Sequence, residues 1–164
     1  RQDIEIEAAY LVGDFAVVTD DGVNFRVCEP RELGLGDWTG MGYPFYAGAM
    51  RYETGFELEE VEGVWLRLEW RGVVARVFVN GERAGLVAFP PYEINISPHL
   101  RPGENEVAVE VINSLRNLLG PHHNRALSEG FVHPGAFTDE SNWTDEYRFV
   151  PCGLMGAELL REVR

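Results

Sequence analysis

Val64-Trp65-Leu66-Arg67-Leu68-Glu69-Trp70, followed closely by Val73-Val74-Ala75-Arg76-Val77-Phe78-Val79-Asn80-Gly81, is the stretch that decides the fold. Val64, Leu66, Leu68 and Trp70 fall on one face of an extended chain, and Arg67 and Glu69 fall on the other. The second run repeats the β-branched pattern and stops at Asn80-Gly81. That dipeptide suits a two-residue type I′ turn, because both central residues need positive φ. Glu82 to Ala88 then leads back. The stretch from Val64 to about Ala88 therefore reads as one antiparallel hairpin.

The same alternation recurs along the chain. Ile4, Ile6, Ala8 and Tyr10 predict a first strand, Phe15 to Thr19 a second, and Val23, Phe25 and Val27 a third, with Asp20-Asp21-Gly22 as a turn. Met50, Tyr52, Thr54, Phe56 and Leu58 alternate with Arg51, Glu53, Gly55 and Glu57, so this strand has one wet face. Phe89-Pro90-Pro91-Tyr92 is a stiff connection. A short strand over Glu93–Ser97, one helical turn at Pro98–Leu100 and a strand through Val107, Val109 and Val111 follow. Glu146–Val150 and Leu154–Val163 supply the last strands. About ten short strands separated by turns read as an all-β, antiparallel β-sandwich of jelly-roll type.

One domain fits the length of 164 residues, which is enough for a sizeable core. The formal net charge of −13 argues against a nucleic-acid partner and against an anionic membrane surface, both of which select for Lys and Arg. No apolar run approaches the length of a membrane-spanning helix. The chain opens at Arg1 with no initiator Met and no signal-peptide pattern, and is read as a domain excised from a larger protein. Secreted, periplasmic and cytoplasmic parents stay open. Cys28 and Cys152 lie far apart; a disulfide would close a long loop, and each also fits as a small buried residue.

Several motifs in order resemble the sugar-binding sandwich of family 2 glycoside hydrolases. Gly42-Tyr43-Pro44-Phe45-Tyr46-Ala47-Gly48, leading into a strand with Tyr52, resembles the entry to that domain. Val77-Phe78-Val79-Asn80-Gly81-Glu82-Arg83-Ala84-Gly85 resembles its V-x-V-N-G hairpin. Glu93-Ile94-Asn95-Ile96, Leu100 and Gly103-Glu104-Asn105-Glu106-Val107 resemble its next segment. The likeness spans about residues 42 to 113; Phe15 and Gly153-Leu154 fit the same galactose-binding-like sandwich less specifically. The resemblance implies a non-catalytic carbohydrate-binding or accessory domain of a larger glycoside hydrolase. In that family the catalytic carboxylates sit on a separate barrel of roughly 250 residues, so no catalytic residue is carried over. The long stretch from Leu115 to Asn142 departs from the family pattern.

Saccharides are held by flat aromatic faces, with polar side chains reaching the hydroxyls. Two loop regions supply such groups. Residues 31 to 48 are Gly-rich and carry Trp38, Tyr43, Phe45 and Tyr46; core packing is the plainer reading of the last three. The late loop carries Arg116, Asn117, His122, His123, Asn124 and Trp143. Trp38 and Trp143 fall outside any alternating pattern and are expected to be partly exposed, in one patch with the His pair, facing a saccharide or the parent's catalytic domain. Asn117 and the His pair also fit bonding to loop backbone.

His122 and His123, with Glu129 and His133, faintly resemble a cupin ligand set, which would make the chain a stand-alone metal-dependent enzyme. Adjacent strand residues point to opposite faces, however, and a cupin wants His-x-His. No cofactor is expected beyond a structural Ca²⁺, for which Asp20-Asp21 or Asp139-Glu140 are the candidates. Ser114 and Ser128 lack the Gly-x-Ser-x-Gly elbow of a hydrolase triad. A purely structural sandwich without ligand is the remaining reading.

Overall fold

A computed structural model of the protein describes residues 9–125 and 140–161. Nine strands lie among them: β1 (Ala16–Thr19), β2 (Phe25–Cys28), β3 (Ala49–Leu58), β4 (Val64–Arg71), β5 (Val74–Val79), β6 (Glu82–Val87), β7 (Glu93–Asn95), β8 (Gly103–Ile112) and β9 (Gly153–Arg161). A 3-10 turn spans Ser97–His99, and one helical turn, α1, spans Arg116–Leu119. All pairings are antiparallel. One sheet has the order β3-β8-β5-β6, a second β7-β4-β9, and β1 and β2 form a separate two-stranded ribbon.

The two larger sheets face each other as a β-sandwich. The second sheet contributes Val64, Leu66, Leu68, Trp70 and Leu154 to the core; the first contributes Ala75, Val77, Val79, Val107, Val109 and Val111. Each fully buried Val or Leu supplies about 1.5–3 kcal/mol of transfer free energy, so this shared layer is the main cohesive term. The solvent face of the larger sheet is charged. Arg51, Glu110 and Arg76 stand side by side across three strands, with the Glu110 carboxylate ion-paired to both guanidinium groups at 3.3 and 2.9 Å. Arg51 also lies 5.0 Å over the ring of Phe78.

The expected hairpin from Val64 to Ala88 is only half present. β5 and β6 pair through Asn80-Gly81, whose φ values of 51° and 82° match a type I′ turn. β4 does not pair with β5: it belongs to the opposite sheet, and the chain crosses between layers at Gly72-Val73, where Val73 N donates to the Ile112 carbonyl at 2.7 Å. Alternation specifies which face is buried but not which neighbour a strand takes. Both strands bury their apolar faces in the same core from opposite sides.

Two further expectations differ. Glu146–Val150 forms no strand. Its backbone is bonded piecemeal instead: Tyr147 N to the Gly22 carbonyl, Arg148 N to the His122 carbonyl and Val150 N to the Asn117 side chain, all at 2.8 Å. Of the expected first strand only Ala9 and Tyr10 are described, and neither is in a strand. Cys28 and Cys152 are both free thiols.

Gly153, at the start of β9, has φ of 142°, and a Cβ there would overlap the Gly36 carbonyl oxygen. Gly81, by contrast, has open space around it and is constrained only by its φ. Gly81→Val is therefore expected to destabilise the protein by about 1 kcal/mol or more, and Gly153→Ala by about 2 kcal/mol or more, since it adds overlap to an unfavourable φ. Urea unfolding midpoints check both. An unchanged midpoint for Gly81→Val would contradict the turn.

Candidate functional site

The loops of interest gather at one end of the sandwich, where β3 and β9 begin and β4 and β8 end. There the chain leaves the sheets, and its backbone groups need other partners. Buried asparagines provide them. Asn113 accepts from Gly48 N at 2.9 Å and donates to the Tyr46 carbonyl at 2.7 Å. Asn117, on α1, donates to the Val150 carbonyl and accepts from Val150 N, both at 2.8 Å. Asp37 accepts from Cys152 N at 3.1 Å, while Gly36 N and Trp38 N donate to the carbonyls of Leu154 and Cys152 at 2.7 and 2.8 Å. The Gly-rich loop, the late loop and the start of β9 are thus laced together. Burial raises the pKa of the Cys152 thiol at the centre of this junction, so it stays protonated.

Beside the junction lies a cluster of rings. Phe25 of β2 meets Tyr147 at 4.9 Å and Phe45 at 5.1 Å; Phe45 meets Phe149 at 5.0 Å; His122 lies 4.9 Å from Tyr147. These contacts fasten the β1–β2 ribbon to the late loop. His122 Nε2 lies 2.8 Å from the Asn117 carbonyl and His123 Nδ1 lies 3.0 Å from the Thr144 carbonyl, which assigns a proton to each of those nitrogens. The His123 ring is stacked on Trp143, with centroids 4.9 Å apart and planes 20° apart. Trp143 Nε1 donates to Asp145 Oδ1 at 3.2 Å. Backbone bonds from Arg125 N to the Asn142 carbonyl and from Thr144 N to the His123 carbonyl complete a short irregular ladder, with a bridge between Asn124 and Trp143.

The structure brings His122, His123, Asn124 and Trp143 together, with Arg116 and Asn117 on the helical turn that precedes them. Trp143 is 57% exposed, and the two imidazoles are half-buried. Asn117 and Asn124 are buried and shape the loop from within. The half-buried Arg116 has one enclosed guanidinium nitrogen, Nη1, with no acceptor, and burial lowers its pKa. Trp38 corrects an expectation: it is 0% exposed and packs edge-on against Tyr46 in the core. Its loop is held against β9 by the backbone bonds above, which turns the ring inward. Asp145, which fixes the Trp143 ring, was not singled out by sequence; its only signal is its place two residues after an aromatic in a polar run.

The metal readings fare differently. Both His residues use a ring nitrogen on a backbone carbonyl, and among the described residues no three His, Cys, Asp or Glu side chains are grouped to hold a metal. Glu129, His133, Ser128 and Asp139 lie outside the described residues. Asp21 caps its own turn, accepting from Val23 N and Asn24 N at 2.9 and 2.7 Å, and these bonds hold its carboxyl far below the usual range. Asp20 pairs with Arg26 at 3.0 Å.

Two outcomes follow. Trp38→Ala is expected to cost about 3–5 kcal/mol, the range for removing a large buried ring; a loss below about 1 kcal/mol in urea unfolding would contradict its core role. For His122, burial lowers the pKa, and Arg116 and His123 add to that, against the opposing bond to the Asn117 carbonyl. The unfolded chain then takes up this proton more readily than the folded one. Its contribution is present above the ordinary imidazole pKa of about 6.5 and is lost as pH falls below it. The melting temperature should drop more on acidification from about pH 7.5 to about pH 5.5 in the wild type than in His122→Gln. An equal drop would contradict a neutral His122.

Set against known proteins, the chain is similar in fold to part of a much longer enzyme. A rhamnosidase from Novosphingobium sp. PP1Y matches over 97% of this chain with 24% identity and a TM-score of 0.57. The chain spans only 16% of that rhamnosidase. A β-glucuronidase from Ruminococcus gnavus matches over 42% of this chain and 13% of its own, with 32% identity and a TM-score of 0.38. A β-glucuronidase from Bifidobacterium dentium matches over 47% of this chain and 14% of its own, with 25% identity and a TM-score of 0.42. No family model and no curated protein matches the chain.

Proposed function

We propose that this chain is a non-catalytic, galactose-binding-like accessory sandwich of a larger glycoside hydrolase, contacting a saccharide or the catalytic domain of its parent. The observation that carries the reading is the extent of the rhamnosidase likeness: nearly all of this chain corresponds to a small fraction of that enzyme. The motif order from Gly42 to Asn113 supports it independently, since it resembles the sugar-binding sandwich of family 2 hydrolases. The contact surface is the loop end carrying Trp143, His122, His123 and Arg116, with the buried Asn117 and Asn124 shaping it from within. Trp38 supports that end from inside the core.

Glycoside hydrolysis needs two carboxyl groups flanking the scissile bond, about 5–9.5 Å apart, one able to donate a proton. The accessory reading places those groups elsewhere in the parent. Purified chain incubated with aryl rhamnosides, glucosides, galactosides and glucuronides is therefore expected to show no turnover. Turnover abolished by a single Asp or Glu substitution within this chain would overturn the reading.

A further inference from the structure

We infer that the exposed ring of Trp143 is a preset stacking platform for a neutral pyranose with a continuous C–H face. The inference rests on the saccharide-contact reading above and specifies where and what it binds. An exposed tryptophan on a loop is ordinarily free to rotate, and ordering it on binding would cost affinity. Trp143 is already ordered. His123 is stacked on the ring, at 4.9 Å and 20°. Asp145 holds the indole N–H at 3.2 Å. The backbone is bridged to the buried Asn124. His123 is itself fixed, by the Thr144 carbonyl at 3.0 Å and by the edge of Tyr147 at 4.6 Å. With these contacts in place Trp143 is still 57% exposed.

A flat, rigid, solvent-facing ring with a carboxylate at its edge matches the two halves of a sugar. The C–H patch of a pyranose lies on the ring, and hydroxyls reach carboxylate oxygens. Asp145 Oδ1 accepts the indole bond, which leaves Oδ2 as an acceptor beside the platform. Glu140, whose carbonyl accepts from Trp143 N, adds a second acidic residue in the same turn, while Glu146 is paired with Arg148 at 2.9 Å. With a net charge of −13 behind them, these groups disfavour uronates and sulfated sugars at this surface.

The four tryptophans give four indole N–H signals in a ¹⁵N-resolved NMR spectrum of the purified chain. The spectrum is followed during titration with neutral gluco- and galacto-oligosaccharides and with a galacturonate oligosaccharide of equal length. The expected result is a shift of the Trp143 indole with a neutral sugar. Trp143→Ala should weaken that binding at least tenfold while the rest of the spectrum stays dispersed, and the galacturonate should bind at least tenfold more weakly. Neutral sugar binding that shifts other signals and survives Trp143→Ala would overturn the platform but leave a saccharide-contact role standing. No shift with any sugar up to tens of millimolar would also overturn it, leaving domain docking as the accessory role. Galacturonate bound as tightly as the neutral sugars would overturn the stated ligand class.

Discussion

Asn117 stands where a strand partner would otherwise be. Its side-chain amide offers a donor and an acceptor to the two backbone groups of Val150, at the same 2.8 Å. Asn113 does the same for Tyr46 and Gly48. Buried backbone N–H and C=O groups must be paired, and at the loop end of this sandwich no strand is available to pair them. Two side-chain amides solve the problem. Removing either would leave a donor and an acceptor unsatisfied, at about 1–3 kcal/mol each. Everything beyond them depends on this constraint: Val150 fixes the end of the run that begins at Trp143, and α1 fixes the run from Gly120 to Asn124.

The molecule therefore has two kinds of order. The sandwich is held by apolar burial between two sheets, which is non-directional and spread over many residues. The loop end is held by a few directional bonds and by ring contacts at 4.6–6.5 Å. Such an arrangement suits a surface that must be fixed in shape yet reachable, because loops on a rigid sheet scaffold can place polar and aromatic groups without disturbing the core. The groups at the opposite end, around Asn80, Asn105 and Arg101, are spent on bonds among themselves: Asn80 bonds Asn105, and Asn105 bonds Arg101 N and carbonyl.

The sandwich was legible in the sequence wherever one face is wet. β3, β4, β5 and β8 all carry period-two alternation, and the burial of Leu66, Leu68, Val77 and Val109 follows it. The partner of β4 was not legible, because a hairpin and a crossover between sheets bury the same residues. The loop end was legible only in part. His122, His123, Asn124 and Trp143 were singled out as polar and aromatic residues outside any strand, and they do cluster. The burial of Trp38 was missed because backbone bonds from Gly36 and Trp38 to β9 leave no periodic trace in the sequence. The asparagine pairings were missed for the same reason: a side chain that replaces a strand has no alternation to announce it.

The loop end is thus a distinct structure, clamped by side chains and carried by the sandwich. Native-state hydrogen exchange on the wild type and Asn117→Ala tests it most directly. Amides at Trp143, Thr144, Tyr147, Arg148 and Val150 are expected to exchange at least tenfold faster in the variant, while Leu66, Val77 and Val109 keep wild-type protection. Unchanged protection at Thr144 and Val150, or equal loss across the core strands, would contradict it.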